Sequence, residues 1–473
     1  MKRRPDCTTT AVVALGILVA GSLTILGAAT SPVLALAALP VLGVILLALL
    51  RPIATVYLAV LLIPLEGLGA GFGHAFTISP AEFVAVAAAA GWIMHRLASG
   101  GPPLRSPLTY ALAGVLLVHI PGLFVAANRF AVMKETVMWS AFFVLFLAVI
   151  SERRPGTAQT MANVIAASGA IISAIAVVRS GGSHQALVGL TGNVSDRATG
   201  SFGSPTLFAA FVAITLPLQL RLALCGSSRI VRLVSALGAL ASTLALALAM
   251  TRSVFVALAV IAAWLVFVWK PFRRITPVLV LCGVVVLSGI TPLGDVVNTH
   301  VLVSRIESVG STQSQTAQYR LQLWKRTPKM IEDHLAFGVG ADNFQADAAR
   351  YGIVAPGGVP YTHAHDIALT FAAEFGLPGL AVLAWLTVAL AQTLRRLLRS
   401  HEEPQYSLAV CVTAALLVIP IEGVFDYTFS DNAFFLVVVL LAAIATRQSA
   451  LVPHAAQRAR TARLIAAVPP APA

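Results

Sequence analysis

The chain has 473 residues, 58% of them apolar and only 11% charged, with a formal net charge of +13. Soluble domains carry about 25% charged residues, so this composition excludes a soluble globular protein and describes an all-α polytopic membrane protein. In a soluble chain the basic excess would suggest a nucleic-acid partner. Here the basic residues sit between apolar runs, so they report membrane orientation, and no nucleic acid is expected.

The chain opens on MKRRPDC and an apolar run, read as an uncleaved first helix at 11–29. Crossing a bilayer takes about 20 apolar residues. Further candidate spans follow at 32–50, 52–65, 80–97, 107–127, 136–150, 160–178, 205–224, 230–250, 253–269, 275–292, 367–394, 407–425 and 431–446. Several are short, so about 12–14 transmembrane helices are expected, with one large extracytoplasmic loop containing short helices. The parts are an N-terminal bundle of about 11 spans (1–292), the loop (293–366), C-terminal membrane helices (367–446) and a disordered tail (447–473). Cys7, Cys225, Cys282 and Cys411 show no paired spacing, so neither a disulfide frame nor a metal site is expected.

Lys and Arg concentrate in alternate loops, as at Lys2, Arg3 and Arg4, at Arg153 and Arg154, at Lys270, Arg273 and Arg274, and at Arg395, Arg396 and Arg399. Cytoplasmic loops carry that excess. Both termini are therefore expected in the cytoplasm, and the 293–366 and 179–204 loops outside. Within the large loop, Tyr319–Leu335 has apolar or aromatic residues at 319, 321, 323, 324, 330, 331 and 335, with Thr327 on the same stripe. That stripe describes a helix able to lie in the headgroup layer, with Lys325, Arg326 and Lys329 on its other faces.

Three arginines fall on the outer side, Arg197, Arg252 and Arg320, in three separate segments. Arg252 ends an apolar span with no acid beside it, where a charge is costly and faces a cavity or a partner. The planar guanidinium binds phosphate oxygens bidentately; the plainer reading is an arginine snorkelling to lipid headgroups. Where the loop meets the next span stands Thr362-His363-Ala364-His365-Asp366. Its histidines suit a general base, a metal pair with Asp366, or a plain helix start capped by Thr362 or Asp366. No GxxxxGK[ST] loop is present, which argues against an ATP-driven pump. A donor used outside the membrane fits a lipid-linked phosphate.

At this point Arg320…Trp324…His334-Leu-Ala-Phe-Gly338-Val-Gly340-Ala-Asp-Asn-Phe344 resembles the R…W…HPLxGxGxxxF signature of the O-antigen ligase and polymerase superfamily. His363-Ala-His365-Asp366 through Glu374-Phe-Gly376-Leu-Pro-Gly379 resembles its HxHNxxL…ExGxxG segment, with Asp366 in place of the amide. Arg197-Ala-Thr-Gly200 and Thr251-Arg252-Ser253 resemble its two upstream arginine segments. The matched region spans roughly 190–385.

The resemblance implies a fold similar to C-type glycosyltransferases in a bacterial inner membrane. It implies a metal-independent, inverting transfer that needs no cofactor. A glycan would pass from a polyprenyl (undecaprenyl or longer) diphosphate to a hydroxyl of a glycan, lipid or protein acceptor. His365 would be the general base, and Arg252 and Arg320, with Arg197, would hold the diphosphate. His363, Asp366, Tyr319 and Trp324 would support them, while Lys325, Arg326 and Lys329 touch membrane lipids. A repeat-unit polymerase and a protein-glycosylating transferase share this machinery. A non-catalytic lipid-linked glycan transporter would need charges through the mid-membrane, whereas here they gather on one side.

Overall fold

Local backbone chemistry decides where the helices begin. Pro52, Pro80, Pro107 and Pro205 each open a helix at the position where a missing N–H costs nothing. Ser79 and Glu82 form a reciprocal capping box, with Ser79 N donating to Glu82 Oε2 at 2.8 Å and Glu82 N to Ser79 Oγ at 3.2 Å. Asn128 and Ser228 cap their helices in the simpler way, each side chain accepting one backbone N–H.

The computed structural model describes residues 32–68, 70–71, 77–101, 104–182, 197–287, 315–355, 357–399 and 403–466. Every expected span from 32–50 onward falls on a helix: Pro32–Leu50, Pro52–Leu62, Pro80–Ser99, Pro107–His119, Arg129–Ser151, Thr157–Gly182, Pro205–Cys225, Arg229–Ala249, Arg252–Val268, Lys270–Leu287, Ile367–Leu397, Gln405–Glu422 and Asn432–Ala466. Among the described residues, 8 helices are long and apolar enough to cross a membrane. The chain is an all-α polytopic membrane protein.

The expected first helix at 11–29, the end of the 275–292 span, most of the 179–204 loop, the 301–314 stretch and residues 467–473 lie outside the described residues. One boundary differs from expectation. The last helix continues through 447–466, where a disordered tail was expected. That stretch is alanine- and arginine-rich, and both residues favour helix.

Two hydrophobic clusters organise the described residues. The larger fills the bundle and includes Phe142, Phe146, Phe208, Phe211, Phe371 and Phe434. The smaller belongs to the loop: Leu323, Met330, Val339, Phe344, Ile353 and Ala364 pack on Ala373 of the next membrane helix. The loop helix, Gln315–Asp333, buries Leu323, Thr327 and Met330 on one face. Its stripe therefore faces protein, while Lys325, Arg326 and Lys329 are exposed.

Candidate functional site

The site exists because the loop grips a break in a membrane helix. Within Ile367–Leu397 the backbone leaves helical geometry at Gly376 (φ 65°, ψ −157°). An interrupted helix in a membrane needs its freed backbone groups paired. The loop supplies the partners: Leu377 N donates to Leu335 O at 2.8 Å, Val339 N to Ala373 O at 2.9 Å, and Gly340 N to Glu374 O at 2.9 Å. A Cβ on Gly338 would stand 2.2 Å from the Glu374 carbonyl carbon, and one on Gly376 would stand 2.4 Å from Leu335 O. Both residues also have positive φ, so glycine is required twice over.

This junction aims the Thr362–Asp366 segment inward. Trp324 Nε1 donates to Ala364 O at 3.0 Å, and Ala364 N donates to Thr370 Oγ1 at 3.2 Å. Asp366 caps the helix, accepting from Leu369 N at 2.7 Å. Its carboxylate is therefore committed to the backbone, and orienting His365 falls to a different acid. His365 itself sits at φ 51°, a left-handed conformation that costs about 1–3 kcal/mol in a non-glycine residue and concentrates at functional sites.

The acid is Asp426, in the turn after Gln405–Glu422. His365 Nδ1 lies 2.7 Å from Asp426 Oδ1, and Arg320 Nη2 lies 3.4 Å from Asp426 Oδ2. Burial alone would raise the Asp426 carboxyl. The hydrogen bond from His365, with the neighbouring His365, His363 and Arg320, instead holds it well below the usual carboxylate range. An ionised Asp426 accepts, so Nδ1 carries the imidazole proton and Nε2 of His365 is left basic.

His363 stacks edge-on against His365, ring centroids 4.4 Å apart, and its Nδ1 accepts from His365 N at 3.2 Å. Burial, then the neighbouring His365, pushes His363 down to about 4, so it is neutral at pH 7. Tyr361 stands edge-on to His365 at 5.9 Å, and Tyr319 lines a small cleft with Tyr361.

The other two arginines meet near Thr251. Arg197 Nε donates to Ala249 O at 2.7 Å and its Nη2 to Thr251 Oγ1 at 2.8 Å. Arg252 opens the next helix, and Ser253 Oγ donates to Glu422 Oε1 at 3.4 Å. The turn after Glu422 closes back on it, with Asp426 N donating to Glu422 O at 3.1 Å. The arginine segments and the His365–Asp426 pair thus share one turn, residues 422–426. Asp426 and Glu422 were missed from sequence. The available signal was an acid in the short Phe425-Asp426-Tyr427 turn between two spans.

The loop cations are not gathered here. Lys329 pairs with Asp333 at 2.9 Å and Glu332 at 3.6 Å, Arg326 donates to Gly352 O, and Lys325 is exposed. Among the described residues, His363, His365 and Asp426 are a group whose ligand atoms all lie within 4.8 Å of one another, close enough to share a metal ion. Arg320 contests the same carboxylate.

Fold and site together give a polytopic membrane protein with a histidine–aspartate pair among arginines at one end of a helical bundle. Residues 237–384 match the family model described as O-antigen ligase, a span that includes Arg252, Arg320, His363 and His365. That match supports the O-antigen ligase superfamily, and with it a membrane glycan enzyme of the glycosyltransferase or ligase type in general. No curated protein matches the chain.

Proposed function

We propose that the protein transfers a glycan from a polyprenyl diphosphate to an acceptor hydroxyl at the extracytoplasmic face of a bacterial inner membrane. The observation that carries this reading is the Arg320–Asp426–His365 line: one carboxylate oxygen holds a cation able to bind phosphate, and the other holds the Nδ1–H of His365, which leaves Nε2 as the base. The acceptor O–H attacks the anomeric carbon, its proton passing to His365 Nε2. A new glycosidic C–O bond forms as the C–O bond to the diphosphate breaks. The polyprenyl diphosphate leaves as an anion, and cations where that charge develops lower the barrier.

Arg252 and Arg320 are the clamp, and Arg197 braces the Thr251 turn beside Arg252. Asp426 is a positioning residue that fixes the tautomer of His365. An apolar cavity of about 280 Å³, lined by Ile367, Leu383, Leu390, Ile419 and Val438 and reaching Asp366, suits the polyprenyl tail. Its walls belong to membrane helices, so a lipid chain reaches it without crossing water.

The test is transfer by purified protein in detergent from a polyprenyl-diphosphate glycan, wild type beside His365→Ala, with product length read on a gel. Loss of transfer in the variant is expected. A single added block assigns a ligase and a ladder assigns a repeat-unit polymerase. Equal turnover in both proteins would remove His365 from catalysis. EDTA is expected to leave the rate unchanged; a loss restored by Zn²⁺ would make His363, His365 and Asp426 metal ligands.

A further inference from the structure

His363 also lines a cavity of about 130 Å³ that none of the three arginines reaches. It presents Glu135, Asp342 and Glu374, a single cation, Lys134, and the aromatic residues Trp139, Phe375, Tyr427 and Phe429. None of Arg197, Arg252 or Arg320 lines it. One more residue points to a ligand. His119 is 1% exposed, its Nδ1 is 2.8 Å from the Val115 carbonyl of its own helix, and its Nε2 has no hydrogen-bond partner. A carbonyl can only accept, so Nδ1 carries the proton. Nε2 is then a buried acceptor turned away from the helix and left without a donor.

We propose that this cavity is the acceptor subsite, and that it holds one uncharged, hydroxyl-bearing sugar ring. The inference rests on the transfer reading above and adds where the acceptor sits and what it is. Buried acceptors without donors are costly, and sugar hydroxyls are donors. The three carboxylates offer more acceptor oxygens, and the aromatic faces suit the C–H face of a sugar ring. With no arginine in its lining, the cavity also offers a diphosphate little to hold it. A shared cation fits less well, because the three acids do not form a group of ligand atoms close enough to bind one ion. A water needs roughly 10–15 Å³, so the space exceeds what one or two waters fill. Tyr427 borders the cavity and donates its backbone N–H to Asp426 Oδ1 at 2.9 Å, which ties the subsite to the His365 pair.

The experiment titrates the full-length protein in detergent with free glucose, galactose, mannose and N-acetylglucosamine, following the fluorescence lost on Trp139→Phe. Single rings bind in the millimolar range at best, so titrations run to concentrations on the order of 100 mM. Saturable quenching by at least one sugar is expected, with no response to inorganic pyrophosphate. His119→Leu weakens that binding about tenfold, and His119→Gln, which restores an acceptor near the Nε2 position, recovers most of it. Glu135→Gln is the second variant should His119→Leu not fold.

No quenching by any sugar, or quenching by pyrophosphate that displaces sugar, would overturn the subsite. In the transfer assay His119→Leu raises KM for the acceptor and leaves KM for the donor alone. Sugar binding without any transfer would sink the catalytic reading while the subsite stood. Transfer with an unchanged acceptor KM in His119→Leu would sink the subsite alone.

Discussion

Arginines crowd both ends of this bundle, and the two ends are built differently. At the loop end, Arg197, Arg252 and Arg320 are half-buried, with Arg197 held on Ala249 O and Thr251 and Arg320 on Asp426. At the opposite end, Arg51, Arg96, Arg153 and Arg154 line an open cavity of about 440 Å³, and Arg51, Arg153 and Arg154 are exposed. The residue type is the same, but the surroundings give it different work. An exposed guanidinium near headgroups is screened and contributes little by itself. One held half-buried beside a carboxylate and a histidine is pre-aimed, and in the proposed transfer it would stabilise developing charge without reorganising first. The difference teaches that position relative to a fixed partner, and not the count of cations, marks the site.

The comparison breaks most sharply at the loop end. His365→Ala is expected to slow transfer by about 10²–10⁴-fold, with protein yield and donor binding retained. Arg320→Lys and Arg252→Ala should each cost roughly 10²–10³-fold, because an ammonium cannot reproduce the planar fork and alanine supplies no charge. The matched control is Arg153→Ala or Arg154→Ala at the other end, expected to stay within about twofold of wild type. Equal losses at both ends, read as initial rates in one detergent, would erase the distinction.

Stability offers two smaller tests. Gly376→Ala puts a Cβ into Leu335 O and forces a positive φ on alanine, and should destabilise the junction by about 2 kcal/mol or more. Thermal melts would show it, and an unchanged Tm would mean that the loop grips elsewhere. Asp431 caps the last helix by accepting from Phe434 N at 2.8 Å, and burial raises its carboxyl to about 6 from an ordinary 3.8. The folded chain therefore holds this proton more tightly than the unfolded chain. The stability so gained is full below about pH 4 and lost as pH rises through 6. Asp431→Asn keeps a cap acceptor without the charge. It should stabilise by on the order of 2 kcal/mol at pH 8 and by nothing near pH 4. A variant less stable at pH 8 would show that the charge is compensated in the fold.

Much was legible in the chain itself. Apolar run length is enough to place membrane helices, because the hydrocarbon core has a fixed thickness, and the helices from Pro32–Leu50 onward stand where the runs lie. The loop helix was equally readable, since a period near 3.6 on one face can only be buried by a helix. Arg320, Trp324, the Thr362–Asp366 segment and two separate glycine motifs were legible through the resemblance; that those motifs grip each other between 335–340 and 373–377 is visible only in the fold.

What stayed hidden were relations between distant residues. Asp366 and Asp426 are both acids near a membrane boundary, and only packing decides which one caps a helix and which one meets His365, 61 positions away from Asp426. The buried, unpartnered His119 Nε2 is likewise invisible in sequence, because a hydrogen-bond vacancy is a property of neighbours brought together by the fold. Local composition determined the membrane helices and their caps. The tertiary structure alone decided which charges share a carboxylate, because Coulomb and hydrogen-bond energies act over a few ångströms of space without regard to distance along the chain.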